Sequence, residues 1–167
     1  NEHEQQVKRI SEYFNQNPSR YRTMDFNPEI ITSLQKKNKT QEKLEKKTKN
    51  LKESLFTDRE LSSFKNDEEA YHQLMQDLIA EQQISTQFVL KGTEVKRIFV
   101  DGGFSNNAIY MNLLASAFPG IEVFAASMAQ ATAVGAALCI HDSWNKKALP
   151  HDIIELKYFS AGQSPLS

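Results

Sequence analysis

Apolar side chains are distributed unevenly along this chain: most of the strongly apolar sequence follows Glu69, while Lys, Glu, Asn, Thr and Ser dominate residues 35–66. Near the start, Val7, Ile10, Tyr13 and Phe14 recur at spacings of three and four. That period predicts a short amphipathic helix, closed by Asn15 to Pro18. "YRTMDFNPEIITSL" reads as a loop followed by a turn of helix starting near Asn27-Pro28. In "QKKNKTQEKLEKKTKNLKES" eight lysines lie between Lys36 and Lys52, and Leu44 and Leu51 are seven apart. Such a stretch can form a helix with a very thin apolar seam or stay mobile, and we expect residues 35–60 to be a peripheral, mobile excursion. "DEEAYHQLMQDLIAEQQISTQFVLKG" is the clearest helix, with Asp67 as N-cap, Glu68 and Glu69 in the first turn, and Gly92 placed for a C-terminal cap. Its apolar stripe runs Tyr71, Leu74, Met75, Leu78, Ile79.

After Gly92 the period changes. A strand over Val95–Val100 leads through Asp101-Gly102-Gly103 into a helix from about Asn107 to Phe118, stopped by Pro119-Gly120. A second strand, Ile121–Phe124, leads to a helix from about Met128 to Trp144. Strand, helix, strand, helix with short connections predicts an α/β layer with parallel pairing. The last helix carries a stripe of small side chains, Ala129, Thr132, Ala133, Ala136 and Ala137, around a mid-helix Gly135. Its plain structural reading is close packing on the sheet or on another helix.

Composition narrows the class without naming a function. The 167 residues, 40% hydrophobic, suffice for one ordinary core. A net charge of −1 gives no reason to expect nucleic acid or an acidic membrane as partner. The lysine run reads as a solvated face, because it lacks interleaved aromatic or Arg residues and is offset by nearby acids. The single cysteine, Cys139, forms no disulfide framework, and a reducing cytoplasm is the expected setting. No apolar run reaches the roughly 20 residues that cross a bilayer. The N-terminus "NEHEQQVKRI" has no signal-peptide core, and the chain opens without an initiator Met, so we expect a piece of a longer protein.

The stretch "DGGFSNN" carries the candidate chemistry. It admits a plain strand-to-helix turn, in which glycine supplies φ > 0 and Asn106 or Asn107 caps the helix. It also admits a nucleotide cradle made of bare backbone at a helix N-terminus. A Rossmann fingerprint lacks its third glycine, and a P-loop lacks its Lys-Ser/Thr end. Asp101 could in principle accept a proton from a hydroxyl, but a loop-capping role is the simpler reading. His3, His72, His141 and His151 show no metal-ligand spacing with Cys139, so no metal site is assigned.

Taken together, "VKRIFVDGGFSNNAIYMNLLASAF" and "IEVFAASMAQATAVGAALCIHDSW" resemble the C-terminal domain of the FGGY carbohydrate kinases, which include glycerol, xylulose, gluconate and rhamnulose kinases. The resemblance covers about Asp67 to Trp144, with Val134 where Leu is usual in the last motif. It implies an actin-like, ribonuclease H-like ATPase fold, present here in part and with added N-terminal helices. It divides the chain into a helical, charged and partly mobile segment at 1–66, a nucleotide-binding subdomain at 67–160, and a tail at 161–167. Gly102 and Gly103 match the glycines that lie against the nucleotide, and Asn106 or Asn107 the residue on its adenosine side. Phe104 departs from the usual small residue. The implied function is one wall of an ATP site in a cytoplasmic sugar or polyol kinase, with Mg²⁺ accompanying ATP in the intact enzyme. The implied partners are ATP, a sugar or polyol and a missing N-terminal kinase domain, with no nucleic acid or membrane and with a homodimer left open. No catalytic residue falls within the chain, and the isolated chain is expected to be inactive. The alternative is a non-catalytic actin-like or helical protein-interaction module.

Overall fold

A computed structural model describes residues 1–42, 55–126, 131–145, 147–148 and 155–160. Helix α1 (Glu2–Tyr13) opens with a capping box: the Asn1 side chain accepts from Glu4 N–H at 3.0 Å, and the Glu4 carboxylate accepts from the Asn1 amino group at 3.2 Å. Its apolar side buries Val7 and Ile10, and the helix stops at Phe14, followed by Asn15 at φ 51°. Helix α2 (Pro28–Glu42) begins at a proline, which gives up no intrahelical hydrogen bond at that position. The Asn27 side-chain oxygen accepts from Glu29 and Ile30 N–H. Ile31 and Leu34 are buried. The lysine-rich stretch continues this helix as far as Glu42, and its remainder, from Lys43 to Lys52, lies outside the described residues.

Helix α3 (Asp67–Leu90) is the spine, packed by α1, α2 and α4 (Ala108–Ala117). Its N-cap is Asn66, not Asp67. Residue 66 takes the extended conformation a cap requires, and its side chain accepts from Glu69 N–H at 2.9 Å. Asp67 instead faces Arg20, with Nε 3.2 Å from its carboxylate. The expected stripe is buried at Tyr71, Leu74, Met75 and Ile79, and Gly92, just beyond the last turn, takes φ 78°.

Residues on both sides of Asp67 share one apolar cluster: Val7, Ile10, Ile31, Leu34, Phe56, Leu61 and Phe64 lie in it with Leu74, Ile109, Leu114 and Val123. Residues 55–60 therefore depart from the peripheral position expected of them, since Phe56 is fully buried. A polar lattice fixes this segment. The Arg59 guanidinium grips the Asp77 carboxylate with two hydrogen bonds of 2.6 and 2.9 Å and also donates to Asn38. Arg9 donates to the carbonyls of Phe56, Thr57 and Arg59. Buried charge is tolerated here because each partner is paired and further hydrogen-bonded.

The sheet has the order β1-β2-β3, with β1 (Arg97–Val100) parallel to β2 (Glu122–Ala126) and β3 (Leu156–Phe159) antiparallel to β2. The parallel pair joined through α4 agrees with the predicted α/β layer. Strand β3 was not foreseen, because four residues of "LKYF" carry too short an alternation to read alone. Val123, Ala125 and Phe159 face the core, against which Ile98 and Val100 pack. On the opposite face, where Phe99 and Tyr158 are exposed, Phe99 stacks on Phe124 and Phe124 tilts against Tyr158. The helix expected over Met128–Trp144 is two pieces, α5 (Ala131–Cys139) and α6 (His141–Trp144), interrupted at Ile140. Gly135, Ala136 and Ala137 are exposed, so the expected close packing of the small-residue stripe is absent at those positions. Small side chains permit close approach but do not supply the partner. Ala129 lies outside the described residues.

Candidate functional site

The glycine loop leaves β1 at Val100 and reaches α4 through one short 3₁₀ turn, Gly103–Asn106. Asp101 turns its carboxylate back to accept from Gly102 N–H at 2.7 Å, a local contact within the loop. Gly102 takes φ 79°, ψ −156°, a region open almost solely to glycine. Gly103 does not have a positive φ. A Cβ built on either glycine meets no described atom within 4 Å. The turn is pinned from within: Ser105, buried, gives its backbone N–H and its hydroxyl to the Gly102 carbonyl at 3.1 and 2.7 Å.

The four residues singled out from the sequence lie together. Gly102, Gly103 and Asn106 are exposed, and Asn107 is half-buried. The choice between the two asparagines as helix cap is decided by geometry. Asn107 caps α4, its side-chain oxygen accepting from Tyr110 N–H at 2.9 Å. With that oxygen engaged, the Asn107 amide nitrogen donates to the Tyr71 hydroxyl at 2.7 Å. The same hydroxyl lies 3.1 Å from His3 Nε2. Burial pushes the Tyr71 phenol well above the ordinary range and lowers the His3 imidazole, so both are neutral at pH 7. Phe104, in the loop, stacks on Tyr110 with centroids 4.5 Å apart and meets the His3 ring edge-on at 5.1 Å.

His3, Tyr71 and Ser105 were not anticipated. Ser105 had a local signal, a hydroxyl residue three positions after a turn glycine, whereas His3 and Tyr71 reach the loop only through packing. Among the described residues no cluster of three or more His, Cys, Asp or Glu side chains could hold a metal ion. Cys139 is an exposed free thiol. No helix of the described residues is long and apolar enough to cross a membrane.

The arrangement can do one thing chemically: it presents exposed glycine backbone and an Asn106 side chain at the carboxyl end of β1, directly before a helix N-terminus. Such a surface suits a ligand that approaches main chain closely, and the open space beside Gly103 fits that use. Residues 70–140 match the family model of the FGGY family of carbohydrate kinases, C-terminal domain. The resemblance read from the sequence is thereby borne out over that stretch. The matched segment takes in most of α3, both parallel strands, the glycine loop, α4 and α5, so the loop lies inside it. No curated protein and no solved structure matches the chain.

Proposed function

We propose that this chain is the nucleotide-side portion of an ATP-dependent sugar or polyol kinase of actin-like fold, and that Gly102, Gly103 and Asn106, with Asn107 behind them, form the adenosine-side wall of its ATP site. The observation that carries the reading is Gly103. Inside the matched segment it lies exposed, with no described atom within 4 Å of where a Cβ would stand, so its backbone is open to close approach by a ligand. ATP would supply the phosphoryl group, and Mg²⁺ would offset its charge. The chain's own contribution is to bind and orient: backbone amides at the loop and the first turn of α4 give direction, and Asn106 gives a polar contact. Among the described residues no group of three or more His, Cys, Asp or Glu side chains could hold that metal.

In-line transfer also needs a group that orients the acceptor hydroxyl and a cleft that closes over both substrates. We expect the 167-residue chain alone to bind nucleotide weakly and to release no ADP above background with ketoses, aldoses or polyols in a coupled assay. Sugar-dependent turnover by the chain alone would place a base within it and overturn this division of labour. The site itself is tested by nuclear magnetic resonance titration of the labelled chain with MgATP, which detects weak binding. The amides of Gly102, Gly103 and Asn106 should shift saturably, and Gly103→Val should weaken that response while leaving the fold intact. Equal ATP affinity in a folded Gly103→Val variant returns the loop to a plain turn.

A further inference from the structure

The glycine loop is held from behind by a hydrogen-bond chain that runs from Asn107 through Tyr71 to His3. The Asn107 side-chain oxygen is committed to Tyr110 N–H at 2.9 Å, so its nitrogen must point at Tyr71, to which it donates at 2.7 Å. The Tyr71 oxygen thus accepts from Asn107, and it is hydrogen-bonded on its other side to His3 Nε2 at 3.1 Å, with the direction of that bond set by the His3 tautomer. Tyr71 is 1% exposed, and its ring lies 5.4 Å from that of Tyr21. The same His3 ring abuts Phe104, at the middle of the loop, at 5.1 Å. Both the loop and the residue capping α4 therefore rest on one bracket, built by α1 and α3. We propose that Tyr71 is a positioning residue for the nucleotide site: through the Asn107–Tyr71–His3 chain it sets the orientation in which Gly102 to Asn106 present their backbone and side chains to ligand. This deepens the nucleotide reading of the loop and rests on it.

Removing only the hydroxyl, as in Tyr71→Phe, leaves the buried ring in place but strands the Asn107 amide and the His3 nitrogen. The loss of one directed hydrogen bond corresponds to about a fivefold change in affinity if it acts on the bound geometry. The experiment is the MgATP titration of the labelled 167-residue chain, run on wild type and Tyr71→Phe at a temperature where both are fully folded, with amide exchange of Ser105 and Asn107 measured without nucleotide. The expected result is an ATP Kd about fivefold weaker and faster exchange at Ser105 and Asn107 than at Val123. A merely structural tyrosine would lower the melting temperature and leave the Kd of the folded protein unchanged, and that result overturns the proposal. Should wild type show no saturable shift at Gly102 and Gly103, the nucleotide reading itself fails and the positioning role falls with it. If Tyr71→Phe does not fold, His3→Phe decides. It keeps an aromatic ring at the position and removes the nitrogen that is hydrogen-bonded to the Tyr71 hydroxyl, and it should weaken ATP in the same direction; an unchanged Kd again overturns the proposal.

Discussion

At Gly102 the backbone takes φ 79°, ψ −156°, and at Gly103, one residue on, no positive φ is needed. Gly102 is required by its own dihedrals, since a Cβ in that region strains the backbone by about 2 kcal/mol. Gly103 is free of that demand, and a Cβ there meets open space. Gly102→Ala should therefore lower unfolding stability by about 2 kcal/mol, while Gly103→Ala should change it by less than about 0.5 kcal/mol. Urea titrations with an unchanged slope read both values. Equal losses at the two positions would mean that the loop's dihedrals do not distinguish them. The pattern of residues around the turn suffices to mark the loop, because glycine and asparagine act through local backbone. The residues behind it, His3 and Tyr71, lie 104 and 36 positions before Asn107 in the chain and have no local mark.

Helices α2 and α3 meet at His72, which is fully buried. Its Nε2 accepts from Asn27 N–H at 3.1 Å, so the ring proton sits on Nδ1, which donates to the Glu68 carbonyl at 2.8 Å. Burial lowers the His72 pKa from its ordinary 6.5, with the Glu68 hydrogen bond opposing, and burial lowers that of His3 as well. A lowered folded pKa means that the unfolded chain binds more protons as pH drops through 6.5. Stability should be full above about 6.5 and should fall as pH descends from there through the two folded values. Protonation would also set an Nε2–H against Asn27 N–H and loosen the first turn of α2. His72→Gln should be less stable at neutral pH yet show a shallower decline below it. Thermal melts between neutral and mildly acidic pH check this, and an undiminished slope in His72→Gln would assign the decline to other groups.

For the molecule as a whole, one core joins the N-terminal helices to the sheet, with Leu74 of α3 fully buried within it. Leu74→Ala should cost about 3 kcal/mol and lower protection by the same amount at Val7 and at Val123, because the cavity is shared. Protection lost at Val7 alone would show two separately unfolding units. The sequence by itself determined the helices α1, α3 and α4, the strands β1 and β2 with their parallel order, and the glycine loop between them. Each of these rests on a period of two or 3.6, or on a turn or cap residue acting within a few positions. Only the tertiary structure decided that Asn66 rather than Asp67 caps α3, that β3 closes the sheet antiparallel, and that residues 55–60 are part of the core. It alone also set Arg59 on Asp77, Asn107 on Tyr71 and Tyr71 on His3, pairs separated by 18, 36 and 68 residues. The physical reason is the same in each case: a hydrogen bond or buried contact between distant residues is selected by how helices pack, and packing depends on the whole set of side chains at once.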